Sequence, residues 1–164
     1  MGHWENTNEN DEWYTPSYIF DALGCEFDLD VAAPENRDFV SVPASKFITQ
    51  NSLNVQWNGF VWMNPPFSGR NCKEQWLEKI YLHGNGIALT PDRTSAPWWP
   101  AAAKKSDALL LITGKVKFIR PNGSIAGSPG NGTTLFAYGE KAVKALINAQ
   151  VAGLGLLLTE YNKQ

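Results

Sequence analysis

Short, almost wholly apolar segments, separated by segments of helical periodicity, constrain the fold of this chain most strongly. Between residues 59 and 161 the apolar segments are GFVWMN, GIALT, DALLLIT, TTLFAYG and LGLLLTEY. Strands that are apolar along their whole length are usually buried on both faces, which is typical of parallel sheets covered by helices. The sequence therefore predicts an α/β fold with a mainly parallel sheet.

The remaining segments complete this prediction. Helices are predicted at 15–24, 71–83, 95–105 and 140–150. The first has Thr15 as a candidate cap and Gly24 at its end. CEFDLDVAAP predicts a strand, and residues 34–56 are predicted to be mainly irregular, with a short helix or strand turn as the alternative. KVKFI at 115–119 alternates like a strand and is predicted to form an antiparallel hairpin with TTLFAYG.

Size and composition favour one domain. The chain has 164 residues, so we expect a flexible N-terminal lead-in over 1–12 and a single domain over 13–164. No apolar run reaches the ~20 residues of a membrane span. The two cysteines and two histidines lack metal-site spacing, and the N-terminus lacks a signal-peptide profile. We therefore expect a cytoplasmic protein without a metal or a membrane partner. The net charge of −2 still permits a local basic face for nucleic acid.

The most informative motif is Asn64-Pro65-Pro66-Phe67, directly after the apolar segment GFVWM. Two prolines stiffen the backbone and remove two N–H donors. The neighbouring carbonyl groups and the Asn64 side-chain oxygen can then accept hydrogen bonds from an NH₂ group. Phe67 can stack on the flat ring that carries this NH₂. The motif predicts a site that holds a planar amine while its lone pair attacks an electrophile.

This motif resembles the catalytic motif of amino-group methyltransferases, and the wider chain resembles the bacteriophage DNA adenine methyltransferases of the Dam type. The supporting segments are WYTPSYIFDAL, FDLDVAAPENR, WNGFVWMNPPFS, GIALTPDRTSAPWW and GKVKFIRPNG followed by GSPGNGTTLFAYG. The resemblance implies a Rossmann-like fold that transfers methyl from S-adenosylmethionine to the 6-amino group of a flipped-out adenine in DNA. Asn64 and the Pro65 carbonyl would orient the amine, Pro66 would stiffen the turn, and Phe67 would stack on the base.

The resemblance also implies cofactor-binding residues near the ends of the first helix and strand. Thr15 and Pro16 match an element near the methionine end of the cofactor. Asp28, Asp30 and Ala32 match the acidic cofactor loop. The chain departs from the usual pattern because it has no Asp-x-x-x-Gly-x-Gly loop and no acid after the second strand for the ribose. The candidates for the ribose are Gln50, Asn51, Ser52, Glu35 and Asp38, and weak cofactor binding is the alternative.

Basic residues in three segments are candidates for DNA contacts. They are Arg70, Arg93, Lys115, Lys117 and Arg120. The alternation of Lys115 and Lys117 also suits a solvated edge strand, so both interpretations stay open. The loop at 120–132 is the candidate for sequence reading. Because a large recognition domain does not fit in this length, we expect a short target or low selectivity, and a monomer or a homodimer.

Two other functions remain open at this stage. The motif also suits methylation of another planar amine, such as an RNA base or a protein glutamine. The missing ribose acid also suits a catalytically reduced relative that binds DNA or protein. For a phage enzyme, the resemblance implies action in the host bacterial cytoplasm, with protection from restriction as its purpose.

Overall fold

The computed structural model describes residues 13–66, 72–127 and 129–159. The predicted lead-in over 1–12 lies outside these ranges. The helices and strands, in chain order, are α1 (Ser17–Leu23), β1 (Phe27–Asp30), β2 (Ala44–Phe47), a 3₁₀ helix (Ser52–Asn54), β3 (Val61–Met63), α2 (Cys72–His83), β4 (Gly86–Pro91), α3 (Trp98–Lys105), β5 (Ala108–Ile112), β6 (Thr133–Tyr138), α4 (Glu140–Val151) and β7 (Gly155–Thr159).

In the described part of the chain, the strands form one seven-stranded sheet in the order β2-β1-β3-β4-β6-β5-β7. β1 pairs in parallel with β2 and β3, and β3 pairs in parallel with β4. β6 is antiparallel to β4 and β5, and β7 is antiparallel to β5. Five strands, β1 to β5, therefore run in one direction, which confirms the predicted α/β fold with a mostly parallel sheet.

Helices cover both faces of the sheet, as predicted. On one face, α1 and α4 pack on a core that includes Trp62 and Leu135. On the other face, α2 and α3 pack on a second core that includes Val61 and Met63. Adjacent residues of β3 thus contribute to opposite cores, because side chains alternate along a strand. Burial on both faces explains why the sheet segments are apolar at nearly every position.

The predicted hairpin between 115–119 and 133–139 is wrong. β6 pairs with β4 and β5 instead, so the antiparallel C-terminal part of the sheet consists of β6, β5 and β7. Within KVKFI, only Ile119 forms β-bridges, to Tyr14 and Ile125. Val116 and Phe118 are buried in the core beside α1 and α4. The alternation in KVKFI therefore reflects packing of an irregular segment rather than pairing with β6.

One smaller prediction differs from the structure, and another agrees with it. Thr15 does not cap α1: the N-cap is Pro16, which forms no side-chain cap hydrogen bond. Residues 34–56 are mainly irregular, as predicted, and the short strand allowed for there is Ala44–Phe47, the edge strand β2. In the described part of the chain, no helix has the length and apolar character that a membrane crossing requires.

Candidate active site

The order of the strands places a crevice at the carboxyl end of β1. The chain passes from β1 to β2 on one side and then crosses to β3 on the other side. In open α/β sheets, ligands bind where the chain switches direction in this way, outside the carboxyl ends of the strands. β1, β2 and β3 are parallel, so the residues that follow them meet at this edge.

A cavity of about 770 Å³ lies at this edge of the sheet. Apart from the ribose candidates, it brings together seven of the site residues proposed from the sequence. These are Thr15, Asp30, Ala32, Asn64, Pro65, Pro66 and Arg93. The cavity lining among the described residues does not include Pro16, Asp28, Lys115, Lys117 or Arg120. Phe67 and Arg70 lie outside the described residues.

Asn64 follows the last residue of β3 and has a fixed side-chain orientation. Its Nδ2 donates hydrogen bonds to the Trp13 carbonyl, at 2.8 Å, and to Thr15 Oγ1, at 3.3 Å. The amide nitrogen therefore has two acceptors. No described residue donates to Asn64 Oδ1, so this oxygen is the amide atom available to a ligand. Pro65 beside it is buried and Pro66 is exposed.

Asp30 is the last residue of β1 and is only 3% exposed. Burial raises the pKa of its carboxyl group to about 7, against the opposing effect of the Ala32 N–H, which donates to Oδ1 at 3.1 Å. No salt bridge to Asp30 occurs among the described residues. A buried carboxylate that lacks a cation is costly, so this end of the cavity favours a positively charged ligand group.

Asp28 on the same strand has a different environment. Its side chain is exposed, and Oδ2 accepts a hydrogen bond of 2.7 Å from the Phe60 N–H. This bond connects β1 to the residue that precedes β3. The structure thus places Asp28 outside the cavity, at a position where it joins two strands.

The cavity contains an acid that could serve a ribose, although this acid follows β1 rather than β2. Gln50 Nε2 donates a hydrogen bond to Glu35 Oε1. Both residues line the cavity, together with Asn51 and Ser52. Asp38, the other acid considered from the sequence, is absent from the cavity lining among the described residues. Of the two acids considered for the ribose, Glu35 is therefore the one that the fold brings to this site.

Two tryptophans contribute to the site in ways that sequence reasoning missed. Trp13 supplies the carbonyl that holds Asn64. Trp76 is 7% exposed and lines the cavity. Its indole N–H is buried, and none of the described residues accepts a hydrogen bond from it. A buried donor that lacks an acceptor in a cavity wall can indicate a ligand site. Burial and hydrogen-bond partners are visible only in the structure, so sequence reasoning had no such signal.

The basic residues lie around the cavity in different environments. Arg93 is exposed and lines the cavity. Lys117 and Arg120 are exposed on the segment outside the sheet. Lys115 Nζ donates to the Gly130 carbonyl at 2.9 Å, and Gly130 belongs to the cavity wall. Lys115 therefore supports that wall.

Comparison with known proteins identifies the family. The family model described as DNA N-6-adenine-methyltransferase (Dam) matches residues 4–146. The chain belongs to this family. The resemblance expected from the sequence is thereby confirmed.

A curated relative supports this membership. The protein named DNA N-6-adenine-methyltransferase from Escherichia phage T1 is 31% identical over 111 residues, which cover 62% of this chain and 44% of the relative. The match thus spans less than half the length of that relative. No solved structure matches the chain significantly.

Proposed function

We propose that this protein transfers a methyl group from S-adenosylmethionine to the 6-amino group of adenine in DNA, as the family name indicates. The observation that carries the proposal is the orientation of Asn64 at the cavity, with its amide N–H groups bonded to Trp13 and Thr15. The switch point at β1 and the helices on both faces support a Rossmann-like methyltransferase fold.

The cavity fits the cofactor in size and in chemistry. Its volume of about 770 Å³ lies within the ~300–1,000 Å³ typical of ligand sites. The buried Asp30 carboxylate suits the α-ammonium group, and Glu35 with Gln50 suits the ribose hydroxyl groups. Ala32 lines the cavity and would contact the cofactor. Thr15 also lines the cavity, and a cofactor contact is the role that the resemblance gives Thr15 and Pro16. When bound, S-adenosylmethionine supplies an electrophilic methyl group.

The residues of the motif would hold the target amine. Asn64 Oδ1 and the Pro65 carbonyl accept hydrogen bonds from the 6-amino group, which directs the nitrogen lone pair toward the methyl group. Pro66 stiffens the turn and Phe67 stacks on the adenine. This function requires positioned acceptors and no titrating base before attack, so orientation supplies most of the rate enhancement.

DNA would approach the open side of the cavity, with the target adenine flipped out of the duplex. Arg93 at the cavity, together with Lys117 and Arg120 nearby, would contact phosphates, while Lys115 would act mainly through the cavity wall. Arg70, outside the described residues, remains part of the proposal. The active unit is a monomer or a homodimer, working in the host bacterial cytoplasm where phage DNA is modified.

The test is a direct product assay. The protein is incubated with S-adenosylmethionine and unmethylated DNA, and the digested nucleosides are analysed by mass spectrometry. The proposal expects N6-methyladenine with the wild-type protein and none with Asn64→Ala. Parallel reactions with RNA and with a glutamine-containing protein identify another amine substrate if DNA remains unmodified. Absence of product together with no cofactor binding in calorimetry would overturn the proposal.

A further inference from the structure

The hydrogen bonds around Asn64 define which way its amide faces. The Trp13 carbonyl can only accept a hydrogen bond, so the amide group at 2.8 Å from it must be the NH₂. Thr15 Oγ1, at 3.3 Å, accepts from the same nitrogen. Rotation of the amide by 180° would place Asn64 Oδ1 against the Trp13 carbonyl oxygen, and both atoms are acceptors. The segment 13–15 therefore selects the orientation in which Asn64 Oδ1 is free to accept.

The segment 13–15 is itself firmly held. The backbone N–H and carbonyl groups of Tyr14 and Ile119 form two hydrogen bonds of 2.9 Å. The ring of Trp13 packs edge-on against Phe118, with 6.0 Å between centroids. The Tyr14 hydroxyl group donates to the Asn36 carbonyl at 3.3 Å. Because these contacts come from separate parts of the chain, the two acceptors have defined positions before a ligand binds.

Thr15 is only 2% exposed, so water cannot easily replace its hydroxyl group. Loss of the hydroxyl would leave one Asn64 N–H without its acceptor. The amide would then be held by the Trp13 carbonyl alone and could rotate over a wider range. Such freedom affects the orientation of the target amine more than the binding of the cofactor.

We propose that the Trp13 carbonyl and the Thr15 hydroxyl are positioning groups for the Asn64 amide, and that they make an amide, rather than a carboxylate, necessary at position 64. This inference rests on the proposed function and deepens it. It differs from the role that the resemblance gives Thr15, which is contact with the methionine end of the cofactor. The two roles predict different kinetic effects.

Replacement of Thr15 separates these roles. Thr15→Val keeps the shape of the side chain and removes the hydroxyl, whereas Thr15→Ser keeps the hydroxyl. If Thr15 positions Asn64, the valine variant loses about tenfold in kcat, with the cofactor Kd unchanged within about twofold, and the serine variant recovers most of the rate. An increase in cofactor Kd with normal kcat at saturation would overturn the positioning role.

Asn64→Asp tests the requirement for an amide. The carboxylate has no N–H for the Trp13 carbonyl and would face it with an oxygen, so we expect at least about a 100-fold loss of kcat without a loss of cofactor binding. A variant with the wild-type rate would overturn the requirement, because a carboxylate would then be held equally well.

A readout independent of activity separates this inference from the proposed function. In NMR spectra of the protein without ligand, the Asn64 side-chain N–H signals, assigned with Asn64→Ala, should exchange with solvent slowly in the wild type and in Thr15→Ser. They should exchange at least about fivefold faster in Thr15→Val. Equal exchange in all three would overturn the inference. Slow exchange with no methylated DNA would overturn the proposed function alone.

Discussion

The two halves of the sheet serve different purposes. The parallel half, β2-β1-β3-β4, supplies Asp30 and Asn64, and the loops that follow its strands line most of the cavity. The antiparallel half, β6-β5-β7, supplies Thr133 and the turn before it. Most of β5 and all of β6 are buried in the core.

The physical reason for this difference is strand direction. Parallel strands bring their carboxyl ends to one edge, so side chains from distant parts of the sequence converge there. Antiparallel neighbours send successive ends to opposite edges. The antiparallel half therefore adds buried apolar area that stabilises the fold, and it adds few side chains to the site.

The largest expected effect comes from Asn64→Ala, at the cavity beside the parallel half of the sheet. Removing the acceptor for the target amine should lower kcat by about 10³-fold, with a loss of about 1–2 kcal/mol in the free energy of unfolding because the Trp13 carbonyl and the Thr15 hydroxyl lose their donor. Steady-state methylation and thermal unfolding measure the two quantities.

Asn148→Ala is a matched control in the antiparallel half. Asn148 Nδ2 also donates to a backbone carbonyl, that of Leu23, at 3.3 Å. Its loss should cost up to about 1 kcal/mol of stability and leave kcat within about twofold. A large loss of activity in Asn148→Ala would break the distinction between the two halves.

The second largest effect, on cofactor binding, distinguishes Asp30 from Asp28, the two acids of β1. Asp30→Asn removes the carboxylate proposed to hold the cofactor ammonium group, so the cofactor Kd should rise by about 30-fold. Asp28→Asn weakens the bond to the Phe60 N–H and should cost about 1 kcal/mol of stability, with an unchanged Kd. Calorimetry of both variants is the measurement, and equal effects on Kd would contradict the placement of the site.

The pH dependence gives a third test. The pKa of Asp30 is raised to about 7, and the cofactor ammonium group requires the ionised carboxylate. Between pH 7 and pH 5.5 the Kd should therefore rise by about tenfold. Asp30→Asn should bind with almost no dependence on pH over this range. A wild-type Kd that stays constant would show that Asp30 is not linked to cofactor binding.

The same pKa determines how stability changes in the protein without ligand. The folded state binds the Asp30 proton more tightly than the unfolded state does, because the folded pKa lies above the ordinary value of 3.8. This contribution to stability is fully present below about pH 4 and is lost as pH rises toward 7. Asp30→Asn should remove this decline in urea unfolding experiments, and a decline that persists in the variant would assign it to other groups.

The smallest expected effect concerns DNA binding. Arg93→Ala, at the cavity, should weaken DNA binding by about three- to fivefold and reduce the slope of log affinity against log salt by about 1. Lys144→Ala removes an exposed charge from α4 in the antiparallel half and should leave both unchanged. Fluorescence anisotropy with a labelled duplex measures the affinity and its salt dependence. Equal losses of affinity in the two variants would indicate that DNA does not bind preferentially at the cavity side of the protein.

Much of the fold was predictable because its signals are local. The apolar segments and the turn at Gly24, which has a φ of 62°, depend on residues close together in the chain. The error at KVKFI has a different origin, since Val116 and Phe118 alternate because they pack in the core. An alternating pattern records which side chains are buried, and it does not record which strand supplies the hydrogen bonds.

The sequence by itself determined the order of most helices and strands, the family, and the position of Asn64-Pro65-Pro66 after a buried strand. Only the tertiary structure decided that Asp30 is buried while Asp28 is satisfied by Phe60, that Glu35 meets Gln50, and that Thr15 holds Asn64. These contacts join residues from separate parts of the chain. Burial and hydrogen-bond partners across such distances are set by the packing of the whole sheet, so no local pattern could reveal them.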